Sequence, residues 1–140
     1  MNNVIFESNN IEWSTPEWLF KELNDEFGFD LDACASDENH KCLVYYTKEN
    51  DSLTKDWGGH TVFCNPPYGR KYTPLFVKKC YEESLKPGTV VVALIPARTD
   101  TQWFHHYVYG KAEIRFVKGR LKFGGSKNNA PFPSMVVIWR

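Results

Sequence analysis

The strongest constraint on the fold of this 140-residue chain is an apolar run from Thr89 to Ile95, in which no polar residue follows the first position. A turn signal, Pro87-Gly88, stands directly before it. Such a run is typical of a strand that is buried on both faces of a parallel sheet. This segment has the clearest strand pattern in the chain, and we expect it to form the central strand of a sheet.

Helix and strand patterns alternate along the rest of the chain. Thr15-Pro16-Glu17 predicts a helix start, in which a hydroxyl caps the helix, proline takes the first helical position and an acid follows. This helix is expected to run to about Phe27 and to end at Gly28. Its buried face is expected to consist of Trp18, Leu19, Leu23 and Phe27.

Further strands are predicted at 29–34, 61–64, 112–117 and 134–139, helices at 73–85 and 101–109, and a polar loop at 118–133. The alternation favours an open α/β sheet with parallel strands, in which ligands bind beyond the carboxyl ends of the strands. The length of the chain indicates a single domain that spans residues 1–140.

Composition narrows the class of protein. Apolar residues make up 42% of the chain, which is typical of a globular domain. Seventeen Lys and Arg residues balance seventeen Asp and Glu residues, so any affinity for nucleic acid has to come from a local patch. The four cysteines lack metal-ligand and disulfide spacing, and we expect reduced thiols and no metal. Without a signal peptide or membrane-spanning run, a soluble, cytoplasmic protein is expected.

The predicted strand at 61–64 runs directly into Asn65-Pro66-Pro67-Tyr68. An aromatic amine such as adenine N6 is a poor nucleophile because its lone pair is delocalised into the ring. The side-chain carbonyl of Asn65 and the backbone carbonyl of Pro66 could accept the two amine hydrogens, with Pro67 helping to fix the backbone. Tyr68 is expected to stack on the base. The structural alternative is a strand-ending turn with a buried tyrosine.

This tetrapeptide resembles the catalytic motif of amino-methyltransferases that act on DNA adenine, and nearly the whole chain resembles the phage-type, Dam-like DNA N6-adenine methyltransferases. The other segments that carry the resemblance are 13–16, 29–35, 51–53, 56–57, 95–101, 103–105, 119–123 and 133–134. The resemblance implies a Rossmann-like class I methyltransferase fold, S-adenosylmethionine as cofactor, and an adenine flipped out of duplex DNA into the pocket at 65–68. A phage-encoded enzyme of this kind would act in the host cytoplasm.

The resemblance also assigns a cofactor site. Asp32 takes the role of the acid at the end of the first strand, where the following small residues hold the methionine part of the cofactor. Asp51 is favoured for contact with the cofactor adenine, and the acid that binds the ribose, Glu49 or Asp51, stays open. The expected cofactor-binding residues are Trp13, Thr15, Pro16, Asp32, Ala33, Cys34 and Asp51.

A DNA surface is expected where basic residues follow the strands. Arg98 comes directly after the central strand, and a local basic run lies in the polar loop. The expected DNA-binding residues are Arg98, Lys118, Arg120, Lys122 and Lys127. The alternative for the loop is a strand with a solvated basic edge, because basic Arg120 and Lys122 alternate with apolar Leu121 and Phe123.

Two other functions stay open on the sequence alone. The first is methylation of another planar amine, such as cytosine N4, an RNA base or a protein glutamine, because related enzymes use similar motifs. The second is a non-catalytic DNA-binding remnant that has lost the cofactor. The presence of both Asp32 and Asn65 argues against the second.

Overall fold

A computed structural model of the protein describes residues 13–140, which form a mixed α/β structure around one six-stranded sheet. The strands are β1 Leu31–Ala35, β2 Tyr45–Thr47, β3 Thr61–Cys64, β4 Val90–Pro96, β5 Glu113–Phe116 and β6 Ser134–Trp139. The helical elements are α1 Glu17–Phe27, a 3-10 turn Ser52–Thr54, α2 Tyr72–Ser84 and a π-helical turn Phe104–Val108.

The sheet is only partly parallel. Its order is β2-β1-β3-β4-β6-β5, with β1 to β4 parallel to one another and β6 antiparallel to both of its neighbours. The expectation of parallel strands is therefore wrong for β6, which lies second from one edge of the sheet. The connection from β5 to β6 contains no crossover helix, so β6 returns in the opposite direction and fills the space between β4 and β5.

The central apolar run forms β4, as predicted, and lies between β3 and β6. Residues 91–95 are fully buried. Helix α2 packs against this strand, and its buried Glu83 accepts a hydrogen bond from the backbone N–H of Trp57 at 2.6 Å. Burial raises the pKa of Glu83, but hydrogen bonds from Lys86, from Trp57 and from Lys79 outweigh burial and lower the pKa.

Helix α1 begins differently from the prediction and ends as predicted. Pro16 has an extended ψ of 137° and precedes the helix, and no side chain caps this end, so the predicted cap by Thr15 is wrong. Trp18 is 55% exposed because the buried stripe follows Leu19 and Leu23, which are four residues apart. Gly28 ends the helix in the left-handed conformation, with φ 68°.

The order of the parallel strands creates a crevice next to β1. From β1 the chain moves outward to β2 and then returns to β3 on the other side of β1. Strand order reverses at such a point, so the connections leave in opposite directions and a crevice opens beyond the carboxyl ends of the strands.

Within residues 13–140, no helix is long and apolar enough to cross a membrane.

Candidate active site

A cleft of about 1190 Å³ lies at the carboxyl ends of β1, β2 and β3. Its walls come from residues 13–15, 32–39 and 47–53, together with Lys41, Tyr45, Phe63, Asn65, Pro67, Tyr72 and Phe76. Most of the predicted cofactor residues therefore border one cavity, along with two members of the tetrapeptide. Pro16 and Pro66 are buried and do not line it.

Three hydrogen bonds orient the amide of Asn65. Its Nδ2 donates to the backbone carbonyl of Trp13 at 2.6 Å and to Oγ1 of Thr15 at 2.8 Å. Its Oδ1 accepts a hydrogen bond from the hydroxyl of Tyr68 at 2.7 Å. Because a backbone carbonyl can only accept, the nitrogen has to face Trp13, and the amide cannot be turned over without losing this bond. The carbonyl oxygen keeps a second lone pair for another donor.

The ring of Tyr68 is 4% exposed and belongs to the core. It meets Phe123 and Phe132 edge to face, with ring centroids 6.2 and 5.6 Å away. Its hydroxyl lies 2.9 Å from the carbonyl of Leu94 as well as close to Asn65. Burial raises the pKa of Tyr68 well above its ordinary value, so the hydroxyl stays protonated and remains a donor. In this position the ring supports Asn65, and stacking on a base would require it to leave the core.

Asp32 is 3% exposed and organises the turn that follows β1. Its carboxylate accepts hydrogen bonds from the backbone N–H of Lys41 at 2.9 Å and of Cys34 at 3.3 Å. Burial raises the pKa of Asp32, and the two backbone hydrogen bonds oppose that rise. The residue therefore holds segment 33–41 against the cleft, while the chain beyond Cys34 supplies much of the cleft wall.

The acids at the far side of the cleft, Glu49 and Asp51, are both exposed and line the cavity. Asp51 has a φ of 55°, and it is the sole non-glycine residue with positive φ in the described part of the chain. Left-handed backbone at a non-glycine residue is strained and is found preferentially at ligand sites. Asp51 and Asp32 come from segments far apart in sequence, and both line this cavity.

The predicted DNA-binding residues lie outside this cavity. Arg98 follows β4 and is exposed, as are the basic side chains of the loop between β5 and β6. The loop is not a strand with a solvated edge: within 118–133 the sole described strand pairing is an isolated bridge between Gly124 and Ser14. Leu121 and Phe123 anchor it in the core, which leaves Lys122 exposed.

All four cysteines are free thiols, and two of them lie beside the site. The sulfur atoms of Cys34 and Cys64 are 3.8 Å apart, at the ends of β1 and β3. Burial raises the pKa of Cys34 well above the ordinary value of a thiol, which keeps it protonated. Within residues 13–140, no group of three or more His, Cys, Asp or Glu residues is arranged to hold a metal ion.

Several contributors to the site were missed by sequence reasoning. The backbone N–H of Lys41 completes the environment of Asp32, and its side chain forms an ion pair with Glu17. Thr15, which is predicted to contact the cofactor and lines the cleft, also accepts a hydrogen bond from Asn65, 50 residues away in sequence. Tyr72, at the start of α2, borders the cleft. Backbone donors and long-range partners leave no local pattern, whereas Tyr72 could have been found from its place just beyond the tetrapeptide.

The chain is similar to a family and to two phage proteins that share one description, DNA N-6-adenine-methyltransferase. The model of the family described as DNA N-6-adenine-methyltransferase (Dam) matches residues 4–140. The chain is 33% identical over 136 residues to the DNA N-6-adenine-methyltransferase of Haemophilus phage HP1, which covers 91% of this chain and 77% of that protein. It is 37% identical over 111 residues to the protein of the same name from Escherichia phage T1, covering 78% of this chain and 45% of that protein. The chain thus spans about half the length of the T1 protein. A match to the putative methyltransferase YfdM of Escherichia coli is 39% identical over 64 residues, covering 41% of this chain and 70% of that protein.

Proposed function

The chain belongs to the DNA N-6-adenine-methyltransferase (Dam) family, and on this basis we propose that it transfers a methyl group from S-adenosylmethionine to N6 of adenine in DNA. The observation that carries the proposal is the amide of Asn65, which borders the cleft with its orientation fixed and a carbonyl lone pair free. An acceptor held in this way is what an aromatic amine requires from a methylating enzyme.

We further propose that residues 1–140 form one Rossmann-like class I methyltransferase domain. Four parallel strands, and a cleft where the strand order reverses, support this fold assignment. The antiparallel β6 is compatible with it, because β6 lies on the far side of β4 from the cleft.

The lining of the cleft fits S-adenosylmethionine. The acids that border it are Asp32, Asp37, Glu38, Glu49 and Asp51, against the two bases Lys41 and Lys48. This excess of negative charge suits a ligand with a cationic sulfonium and an ammonium group, and exposed carboxylates such as Glu49 and Asp51 can accept hydrogen bonds from ribose hydroxyls. Trp13 and the turn after Asp32 would border the methionine part, with Asp51 near the adenine. When bound, this cofactor supplies an electrophilic methyl group on positively charged sulfur.

The chain's own residues prepare the amine. Oδ1 of Asn65 accepts one N6 hydrogen, which draws the nitrogen lone pair out of conjugation with the ring. The carbonyl of Pro66, which the sequence predicts as the second acceptor, belongs to a buried residue outside the cleft lining. Trp13 and Thr15 keep the amide nitrogen turned away, so that the carbonyl and not the NH2 group faces the substrate. Positive charge then develops on N6 beside the carbonyl oxygen of Asn65, which stabilises it electrostatically. The methylated amine becomes neutral by releasing one N6 hydrogen to solvent as a proton.

Access to N6 requires the target adenine to leave the helix. Extrusion costs a few kcal/mol, which contacts to the DNA backbone have to offset. The phosphate contacts that we propose are Arg98, at the carboxyl end of β4, and the exposed basic residues of the loop at 118–127.

Nucleoside analysis of DNA treated with the protein and methyl-labelled S-adenosylmethionine tests the proposal. The expected product is N6-methyladenine, and Asn65→Ala is expected to form it about 100- to 1000-fold more slowly while still binding the cofactor. Label in N4-methylcytosine, in RNA alone or in protein would replace the proposed substrate with another planar amine. Wild-type transfer by Asn65→Ala would refute the role of this residue.

A further inference from the structure

The net charge of the chain is zero, but its acidic and basic residues are unevenly distributed along the sequence. Residues 1–56 contain thirteen Asp and Glu residues and four Lys and Arg residues, whereas residues 57–140 contain four and thirteen. The two parts therefore carry formal charges of −9 and +9. Charge asymmetry of this size is typical of proteins that bind a polyanion with one part of the chain.

The division matches the architecture of the site. Every acid that lines the cleft comes from the acidic part, whereas the tetrapeptide and the start of α2 come from the basic part. From Trp57 to Tyr81 the sequence contains no acidic residue. The cleft side of Asn65 is thus acidic, and the chain that continues from Tyr68 is basic.

Arg70 and Lys71 are the first charged residues after the tetrapeptide, and both are exposed. Neither has an acidic partner in the described part of the chain, in contrast to Lys79 and Lys86, which both contact Glu83. The ammonium group of Lys71 lies 5.4 Å from the centroid of the Tyr72 ring. Tyr72 borders the cleft, so this basic pair lies at its rim.

The predicted basic loop reaches the same site from another direction. Its Phe123 ring packs against Trp13 with centroids 5.4 Å apart, and Gly124 donates a backbone hydrogen bond to Ser14 at 2.9 Å. Trp13 also accepts the hydrogen bond from Asn65. Asn65 is therefore linked to two exposed basic segments. The chain after Tyr68 leads directly to Arg70 and Lys71, and segment 13–14 contacts the basic loop at 118–127.

We propose that Arg70 and Lys71 bind backbone phosphates of DNA beside the extruded adenine. This inference rests on the proposed function and adds a phosphate-binding pair, at the rim of the cleft, to the basic loop and Arg98. Arg70 and Lys71 are exposed, have no acidic partner among residues 13–140 and lie five and six residues from the amine acceptor. They are therefore suited to bind the phosphates of the strand whose base enters the site.

The test is the salt dependence of DNA binding by the full chain, measured with a duplex that carries an adenine mismatch. Each lost phosphate contact lowers the slope of log affinity against log salt by about 0.9, so Arg70→Ala/Lys71→Ala should flatten the slope by about 1.8. Lys111→Ala/Arg140→Ala is the matched control, because it also removes one lysine and one arginine. These residues lie where β5 begins and β6 ends, at the sheet edge opposite the cleft.

The expected result is a flattened slope for the rim variant, a wild-type slope for the control, and unchanged S-adenosylmethionine affinity for both. An unchanged slope for the rim variant, or equal flattening in the control, would overturn the inference. Product analysis of the wild-type protein separates this failure from that of the proposed function: N6-methyladenine with an unchanged rim slope refutes only the rim, whereas a flattened slope without that product refutes only the enzymatic assignment.

Discussion

Aspartate should be a poor substitute for Asn65 in this protein, although it keeps an oxygen that can accept a hydrogen bond from the amine. Nδ2 of Asn65 lies 2.6 Å from the carbonyl oxygen of Trp13. In Asn65→Asp that position is taken by an anionic oxygen, which faces a group that has no hydrogen to donate. The hydroxyl of Thr15 can rotate and donate, but the Trp13 carbonyl cannot adapt.

The expected loss of turnover in Asn65→Asp follows from the lost hydrogen bond to Trp13 and from the carbonyl of Trp13 that is left without a donor. Leaving a buried polar group without its partner costs about 1–3 kcal/mol, and the carboxylate can avoid this cost only by rotating away from Tyr68. Either outcome displaces the acceptor that the amine requires. A cost of this size in the transition state corresponds to about a 5- to 150-fold lower turnover. The defect should be smaller at lower pH, because a protonated carboxyl regains a donor toward Trp13.

Single-turnover methyl transfer at saturating S-adenosylmethionine and DNA, repeated between about pH 5.5 and 8, measures this effect against the asparagine enzyme. Gln102→Glu is the matched control, because it makes the same change from amide to carboxylate at an exposed site without a described hydrogen bond. The reasoning would be refuted by Asn65→Asp with wild-type turnover across the range, since the carbonyl of Trp13 would then place no demand on the side chain.

Tyr68→Phe keeps the ring but loses the hydrogen bond to Asn65, so turnover should fall about 3- to 10-fold in single-turnover assays; unchanged turnover would show that the hydroxyl is not needed to orient Asn65. Asp32→Ala removes the acceptor of Lys41 N–H, so titration calorimetry should show about tenfold weaker S-adenosylmethionine binding, and an unaltered constant would remove Asp32 from the site. Because the pKa of Glu83 is lowered from 4.5, its stabilisation is present above that value and disappears as pH falls through the folded pKa. Glu83→Gln should therefore cost about 1–3 kcal/mol in urea unfolding at pH 7 and less below pH 4, whereas a pH-independent cost would exclude an ionic role.

Sequence patterns predicted the elements whose burial is uniform. The strands at 61–64 and 134–139 have the predicted bounds, since apolar runs between polar turns define their own ends. β2 was not predicted because its three residues are all half-buried and show no alternation. The reversed direction of β6 was also not predictable, because a fully buried apolar run has the same pattern in either direction.

The contacts that shape the site were harder to predict than the elements that carry it. The tetrapeptide and the acid at the end of the first strand are local signals, and their places at the ends of β3 and in β1 follow from the strand pattern. The partner of Asn65, however, is the carbonyl of Trp13, a group that every residue possesses. A sequence can indicate a hydrogen bond between side chains by residue type, but it carries no such indication for a bond to the backbone.

The amine acceptor is held by segments that converge from both sides of the sequence. Phe123 packs on Tyr68 and on Trp13, which are the two residues that bond to opposite ends of the Asn65 amide. The backbone N–H of Gly124 donates a hydrogen bond to the carbonyl of Ser14 at 2.9 Å, which holds the loop against segment 13–14. The loop that contains the predicted phosphate contacts is thus packed on the residues that orient the Asn65 amide. If the loop binds phosphate as proposed, binding that stabilises the loop would also stabilise the orientation of the Asn65 amide, and DNA binding would thereby favour the conformation that the amine requires.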